Sequence, residues 1–200
     1  MRLYVTPTSP YARLAMIVRL EKGLGGIELV WTRTRVPDDP MLAFNPSGRI
    51  PFLRLDDGTG FEDTDVIVDY MDTLAPPCRF APPWGEAYWP YRRRRAAARS
   101  MLDGVAVWAR ELVRPEDERS PAIIDHERRR AARLADRFEA EIEAFDGPLD
   151  MPQLLLFCAL DVERRLPEFD WRTGRPKLAA WHARVAVLPS VEGSLAPAGM

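Results

Sequence analysis

Strand-like sequence stops before position 64, which confines any β-sheet to the first third of the chain. Residues 3–6, 27–32 and 50–55 are short runs rich in β-branched, aliphatic and aromatic side chains. Between the first two, residues 10–22 carry Leu14, Ile17 and Val18 at helical spacing, so the chain opens β-α-β. A polar loop at 37–46 leads to the third run, which ends in Asp56-Asp57-Gly58; the Asp-Gly pair is a strong hairpin signal. From Thr64 onward, Val66, Ile67, Tyr70, Met71 and Leu74 repeat at three and four, which predicts a helix lying on the sheet by one face. The expected order is β-α-β-loop-β-β-α.

Pro76, Pro77, Pro82, Pro83 and Pro90, with Gly85 among them, break regular structure next. Beyond them the segments 91–112, 121–145, 151–165 and 176–187 all carry helical spacing. The expected division is an α/β domain at 1–76, a Pro-rich linker at 77–90 and an all-helical domain at 91–200.

Composition then narrows the partners. The 28 basic and 30 acidic residues leave a formal charge of -2, so no global field draws the chain to nucleic acid or an anionic membrane. The basic runs at 92–95 and 128–130 stand in helical segments among acidic residues and read as solvated helix faces. No apolar run reaches bilayer length, and Met1-Arg2-Leu3-Tyr4-Val5 leads into Thr and Pro without a signal-peptide core. The expectation is a cytoplasmic protein with a small-molecule partner. Cys78 and Cys158, with His126 and His182, are too few for a disulfide framework or a Cys/His metal site, so no metal is expected.

Three stretches suggest chemistry. In Thr8-Ser9-Pro10-Tyr11, Ser followed by Pro is what a helix start prefers. Such a start is often only a cap, but its open N–H groups and dipole also favour an anion such as a thiolate, to which a hydroxyl can donate. In Asn45-Pro46-Ser47-Gly48-Arg49-Ile50-Pro51, Pro51 either begins a strand or follows a cis bond, which would turn the Ile50 backbone toward a bound peptide. In Asp63-Thr64, Thr64 is the expected N-cap; its hydroxyl and nearby N–H groups suit a carboxylate, while Asp63 suits an ammonium group.

In this order and at these separations, the three stretches resemble the N-terminal domain of glutathione transferases, where Ser-Pro-(Phe/Tyr), Asn-Pro-x-Gly-(Lys/Arg)-(Val/Ile)-Pro and (Glu/Asp)-Ser mark the glutathione site. The second half is similar to that family's helical domain. Asp150-Met151-Pro152-Gln153 has the form of a capping box, and Pro176-Lys177-Leu178-Ala179-Ala180-Trp181 and Leu188-Pro189-Ser190-Val191 resemble its closing helices. The resemblance implies the glutathione-transferase fold, an α/β thioredoxin-like domain plus an all-α domain. It also implies glutathione as co-substrate, a small electrophile as second substrate, and a homodimer. Ser9 would activate the glutathione sulfur, and Ile50 before a cis Pro51 would bond the cysteinyl backbone. Asp63 and Thr64 would hold the γ-glutamyl end, and Arg49 would face the glycine carboxylate.

The sequence departs from the pattern in places. Thr64 replaces the more usual Ser, Gln153 stands where the family has Asp, and no Lys or His anchor falls in the loop 32–40. Tyr4, Thr8 and Tyr11 also carry hydroxyls near Ser9. Tyr4 belongs to the first strand, where its ring packs, and Tyr11 with Trp108 is assigned to a second-substrate pocket. Because position 9 is Ser and not Cys, attack at carbon is favoured over mixed-disulfide chemistry. Glutathione-dependent isomerisation or peroxide reduction would use the same thiolate, and a non-catalytic interaction module on this fold is the rival from another class.

Overall fold

The computed structural model describes residues 1–197. It divides into two units, Met1–Ala81 with the segment from Leu188 on, and Pro82–Val187. The expected boundary put everything after 91 with the helices, so the return of the C-terminal segment to the first unit is a correction.

In the first unit, β1 (Arg2–Val5), β2 (Glu28–Trp31), β3 (Phe52–Arg54) and β4 (Gly60–Phe61) form one sheet in the order β2-β1-β3-β4. β1 and β2 are parallel, as a helical crossover requires, and the other pairings are antiparallel. Helices α1 (Pro10–Glu21) and α2 (Thr64–Leu74) pack together and onto the strands, burying Leu14, Ile17, Val18, Ile67, Val68 and Met71. Tyr4 and Phe52 pack with Met41, Val30, Phe44 and Ile50 in a separate cluster. Residues 40–44 supply Met41 and Phe44 to it, so the polar loop is also a lid on the core. A short α7 (Pro189–Glu192) then lies against α1.

The second unit is helical. α3 (Tyr88–Val113) starts inside the expected linker, because Pro90 falls in its first turn, where a missing N–H costs nothing. α4 (Pro121–Glu141) begins at a Ser120 cap and ends in a single tighter turn, Ile142–Phe145. All ten residues of α5 (Met151–Leu160) are buried, as an all-round apolar helix must be. Asp150 caps it by accepting from Gln153 N at 2.9 Å, but the Gln153 side chain donates to the Pro148 carbonyl at 2.9 Å, so the capping box is only half formed. α6 (Pro176–Ala186) completes the unit. The basic runs are solvated faces with local partners: Arg128 and Arg129 pair with Asp125, Arg93 with Glu141, and Arg94 with Asp150. No described helix is long and apolar enough to cross a membrane.

Candidate functional site

The strand register brings the three sequence stretches to one end of the sheet. Ser9 follows β1 directly. Tyr4 pairs with Phe52 in an antiparallel ladder, so the chain that enters β3 through Ile50 and Pro51 arrives at the end of β1 that leads to Ser9. Leu53 pairs with Phe61, so the chain that leaves β4 toward Asp63 departs from the same end of the sheet. The end of β2 joins them, since Val5 pairs with Trp31 and Thr32 N donates to the Val5 carbonyl at 2.9 Å. Both helices on the sheet therefore start at this end, and their N-terminal N–H groups make it electropositive.

Ser9 is the N-cap of α1, in an extended conformation, with its Oγ accepting from Ala12 N at 3.1 Å. Arg13 N donates to the Ser9 carbonyl at 3.0 Å and closes the first turn. A hydroxyl has one proton and two lone pairs, so this cap occupies a lone pair and leaves the proton for another acceptor. Among the described residues the Ser9 hydroxyl donates to none. The first turn of α1 holds no acidic residue.

Asn45 builds the second stretch, a role that sequence reasoning did not assign to it. It is fully buried, its Nδ2 donates to the Arg49 carbonyl at 2.9 Å, and its Oδ1 accepts from Ser47 Oγ at 3.1 Å. Ser47 Oγ accepts in turn from Arg49 N at 3.2 Å. Gly48 turns the chain with φ 62, a left-handed conformation that suits glycine. The loop thus delivers an exposed Arg49 side chain and a half-buried Ile50. The Ile50–Pro51 bond is cis, as expected, and β3 begins only at Phe52. Among the described residues the Ile50 backbone N–H and C=O make no hydrogen bond.

In the third stretch the expected cap moves by one residue. Asp63, not Thr64, is the N-cap of α2, and its carboxylate accepts from Asp65 N at 2.8 Å. Asp63 has φ 68 and ψ 133, a backbone region that side-chain-bearing residues rarely enter. Strain of this kind persists where the surroundings impose it, and it gathers at binding sites. Thr64 is the first residue of α2 and is buried. The shift follows from Asp being the better short acceptor, while Thr64 takes the buried first position of the helix.

The rival hydroxyls separate. The Tyr4 ring packs against Phe44 and Phe52 at centroid distances of 5.5 and 5.9 Å, so it belongs to the core. Thr8 is exposed before the helix, and Tyr11 is half-buried on its first turn. Trp108 lies in the second unit at 2% exposure with its ring edge-on to Phe169, packed in that unit's core.

A thioredoxin-like sheet with converging helix starts, followed by an all-helical unit, is the glutathione-transferase fold. Residues 3–82 match the family model for the glutathione S-transferase N-terminal domain. The chain is similar to a glutathione transferase family member from Pseudomonas fluorescens Pf-5 solved with bound glutathione, at 31% identity and TM-score 0.90, covering 98% of each chain. A structure of a family member from the same organism with bound S-(propanoic acid)-glutathione matches at 30% identity and TM-score 0.86, over 98% of this chain and 100% of that one. The GST-like protein YibF of Escherichia coli K12 is 27% identical over 186 residues, 89% of this chain and 90% of that protein. The chain belongs to the glutathione transferase family.

Proposed function

We propose that this protein binds glutathione at the shared end of the sheet and activates its thiolate for attack on a small electrophile. The reading is carried by the strand register, which brings the stretches holding Ser9, Ile50 and Asp63 to one end of the sheet, together with a Ser9 hydroxyl whose cap leaves its proton available. Ser9 donates to the sulfur, and the α1 start stabilises the anion. Lowering a thiol pKa by two units takes about 2.7 kcal/mol, within reach of one charge-assisted hydrogen bond and a helix terminus.

The Ile50 backbone offers the cysteinyl residue a donor and an acceptor, as a strand edge does. Asp63 takes the α-ammonium and the N–H groups of the α2 start take the α-carboxylate of the γ-glutamyl end, with Thr64 beside them. Arg49, exposed at its loop, takes the glycine carboxylate. Tyr11, on the first turn of α1, borders the electrophile. The conjugate bound by the Pseudomonas fluorescens relative joins glutathione to a propanoic acid, which supports transfer to carbon as the reaction class. The family resemblance further supports a homodimer, which sedimentation would read as twice the 22.8 kDa chain.

The test is calorimetric titration with glutathione, followed by conjugation assays over a panel of electrophiles. Micromolar to millimolar binding with turnover on at least one electrophile is expected. Binding without turnover on any would replace the enzyme by a non-catalytic module, and absence of binding would remove the reading altogether.

A further inference from the structure

His182, on α6 in the second unit, is a buried titratable group that the proposed chemistry does not use. It is 4% exposed, with its ring stacked on Phe157 of α5 at 4.8 Å and tilted against Trp171 at 5.0 Å. Its two nitrogens meet groups of opposite charge. Nδ1 lies 3.2 Å from Arg172 Nη2, while Nε2 faces Asp161 Oδ1 at 3.6 Å and is buried with no hydrogen-bond partner among the described residues. A guanidinium only donates, so Nδ1 is the acceptor and the neutral ring carries its proton on Nε2. Arg172 is held in place by its other contacts: its Nε donates to Glu163 Oε2 at 2.9 Å, and its guanidinium lies over the Trp171 ring at 4.1 Å.

A proton added to this ring goes to Nδ1, the nitrogen with the lone pair. Two cationic donors then face each other across the Arg172 contact, and the Nε2–H aimed at Asp161 becomes a charge-assisted donor. The neutral ring therefore suits Arg172 and the charged ring suits Asp161. The charges behind each partner keep both in place. Arg164 lies 3.8 Å from Asp161 Oδ2, the Arg165 charge also bears on Asp161, and Glu163 holds Arg172. The other charges on and against α6 are engaged elsewhere: Arg175, Lys177 and Arg184 pair with Asp136, Glu143 and Asp146, and Glu139 accepts from the N–H groups of Lys177 and Leu178. We infer that His182 is a proton-driven selector between two ties of α6. Neutral, it holds Arg172 and the segment 166–175; protonated, it gives Arg172 up to Glu163 and closes on Asp161, the C-cap of α5.

The chain has two histidines, so long-range proton–nitrogen correlation spectra of the full-length protein, labelled with nitrogen-15 histidine, resolve both rings, and His126→Gln assigns them. Between about pH 8 and pH 5, His182 should pass from the pure Nε2–H tautomer to the doubly protonated ring while circular dichroism shows the fold intact. An Nδ1–H tautomer at the alkaline end, or a ring that stays neutral until the chain unfolds, would overturn the inference. Exchange of partners further requires that the two flanking groups act in opposite senses on the same proton. Arg172→Met removes the partner of the neutral ring and should move the His182 titration to higher pH. Asp161→Asn removes the charge that receives the protonated ring and should move it to lower pH. Shifts in one direction, or none in either variant, would overturn the selector. The tautomer is read on the wild-type protein, so the inference is decided even where Asp161→Asn fails to fold.

Discussion

Lys22 Nζ lies 2.8 Å from Asp72 Oδ1, with the two side chains only 3% and 1% exposed. The pair joins the end of α1 to α2, and Asp72 spends its remaining acceptor capacity on the chain that leaves α2. Its Oδ1 accepts from Arg79 N at 3.0 Å, and its Oδ2 from Phe80 N at 2.8 Å and Ala81 N at 3.2 Å. Lys22 also donates to the Pro77 carbonyl at 2.7 Å. The two helices whose starts form the candidate site are thus locked together at their far ends.

Asp72→Ala should be strongly destabilising, because it leaves Lys22 as an uncompensated buried charge and strips three N–H groups of their acceptor. About 3–5 kcal/mol is expected from breaking one side of a buried pair. Urea denaturation at neutral pH measures it, and a loss under 1 kcal/mol would mean that water relieves the charge.

The same carboxylate sets an acid limit. Burial alone would raise the Asp72 pKa, but the Lys22 hydrogen bond and the three backbone donors outweigh it, and the net shift is downward. A depressed folded-state pKa contributes stability above the unfolded value of about 3.9 and loses it as pH falls through the folded value. Stability should therefore drop on acidification below about pH 4, and Asp72→Asn should flatten that part of the curve. An unchanged acid slope in Asp72→Asn would assign the drop to other carboxylates.

Asp150 behaves in the opposite sense. Burial is the largest influence on it and raises its pKa despite the Gln153 N–H and Arg94. With a raised folded-state value, ionisation at neutral pH works against the fold, and the cap's benefit comes from its oxygen as an acceptor. Asp150→Asn should remain close to wild type at pH 7, whereas Asp150→Ala should lose about 0.5–2 kcal/mol with the cap. Thermal melts of the two variants compare them directly; equal losses would show that the charge pairing with Arg94, not the cap, is what matters.

Gly60 tests the packing beneath the site. A Cβ built there would fall 2.4 Å from Phe52 Cζ, and Phe52 is 1% exposed within the Tyr4 and Phe44 cluster. The ring cannot yield without displacing that cluster, so Gly60→Ala should destabilise by about 1–3 kcal/mol, measured by urea unfolding. Wild-type stability would mean that β4 shifts outward instead.

What the sequence disclosed was local. Ser9-Pro10 and Asp150 mark helix starts because a cap is a contact over three residues, and Asp-Gly marks the hairpin for the same reason. The hydrogen bond from Arg13 Nε to Ser194 Oγ, 3.2 Å long, and the Lys22–Asp72 pair join residues far apart in sequence, and neither leaves a periodic trace; all four look like surface polar residues. Asp63-Thr64 marks a helix start in the sequence, but both residue types cap and only the backbone decides that Asp63 does. The loop at 45–51 was legible as a motif, while the task of Asn45 within it needed the three hydrogen bonds to be seen.

The final prediction concerns Ser9, where stability and rate respond to the same oxygen in different ways. Ser9→Ala removes the acceptor for Ala12 N, so the fold should lose about 1 kcal/mol, the usual value of an N-cap. In the proposed function it also removes the proton donor to the thiolate. Glutathione affinity should change little, because in the proposed site the tripeptide is held mainly by Ile50, Arg49, Asp63 and Thr64. The rate at neutral pH should fall about tenfold to a hundredfold, the equivalent of roughly 1.5–3 kcal/mol for one charge-assisted hydrogen bond, with the apparent thiol pKa raised. Ser9→Gly separates the two roles, because glycine is nearly as good an N-cap yet carries no hydroxyl. Its stability should approach wild type while its rate matches Ser9→Ala. A pH–rate profile of the three proteins with one reactive electrophile provides the measurement. Profiles that superimpose would leave Ser9 a cap alone and pass thiolate stabilisation to Thr8, Tyr11 or the helix start.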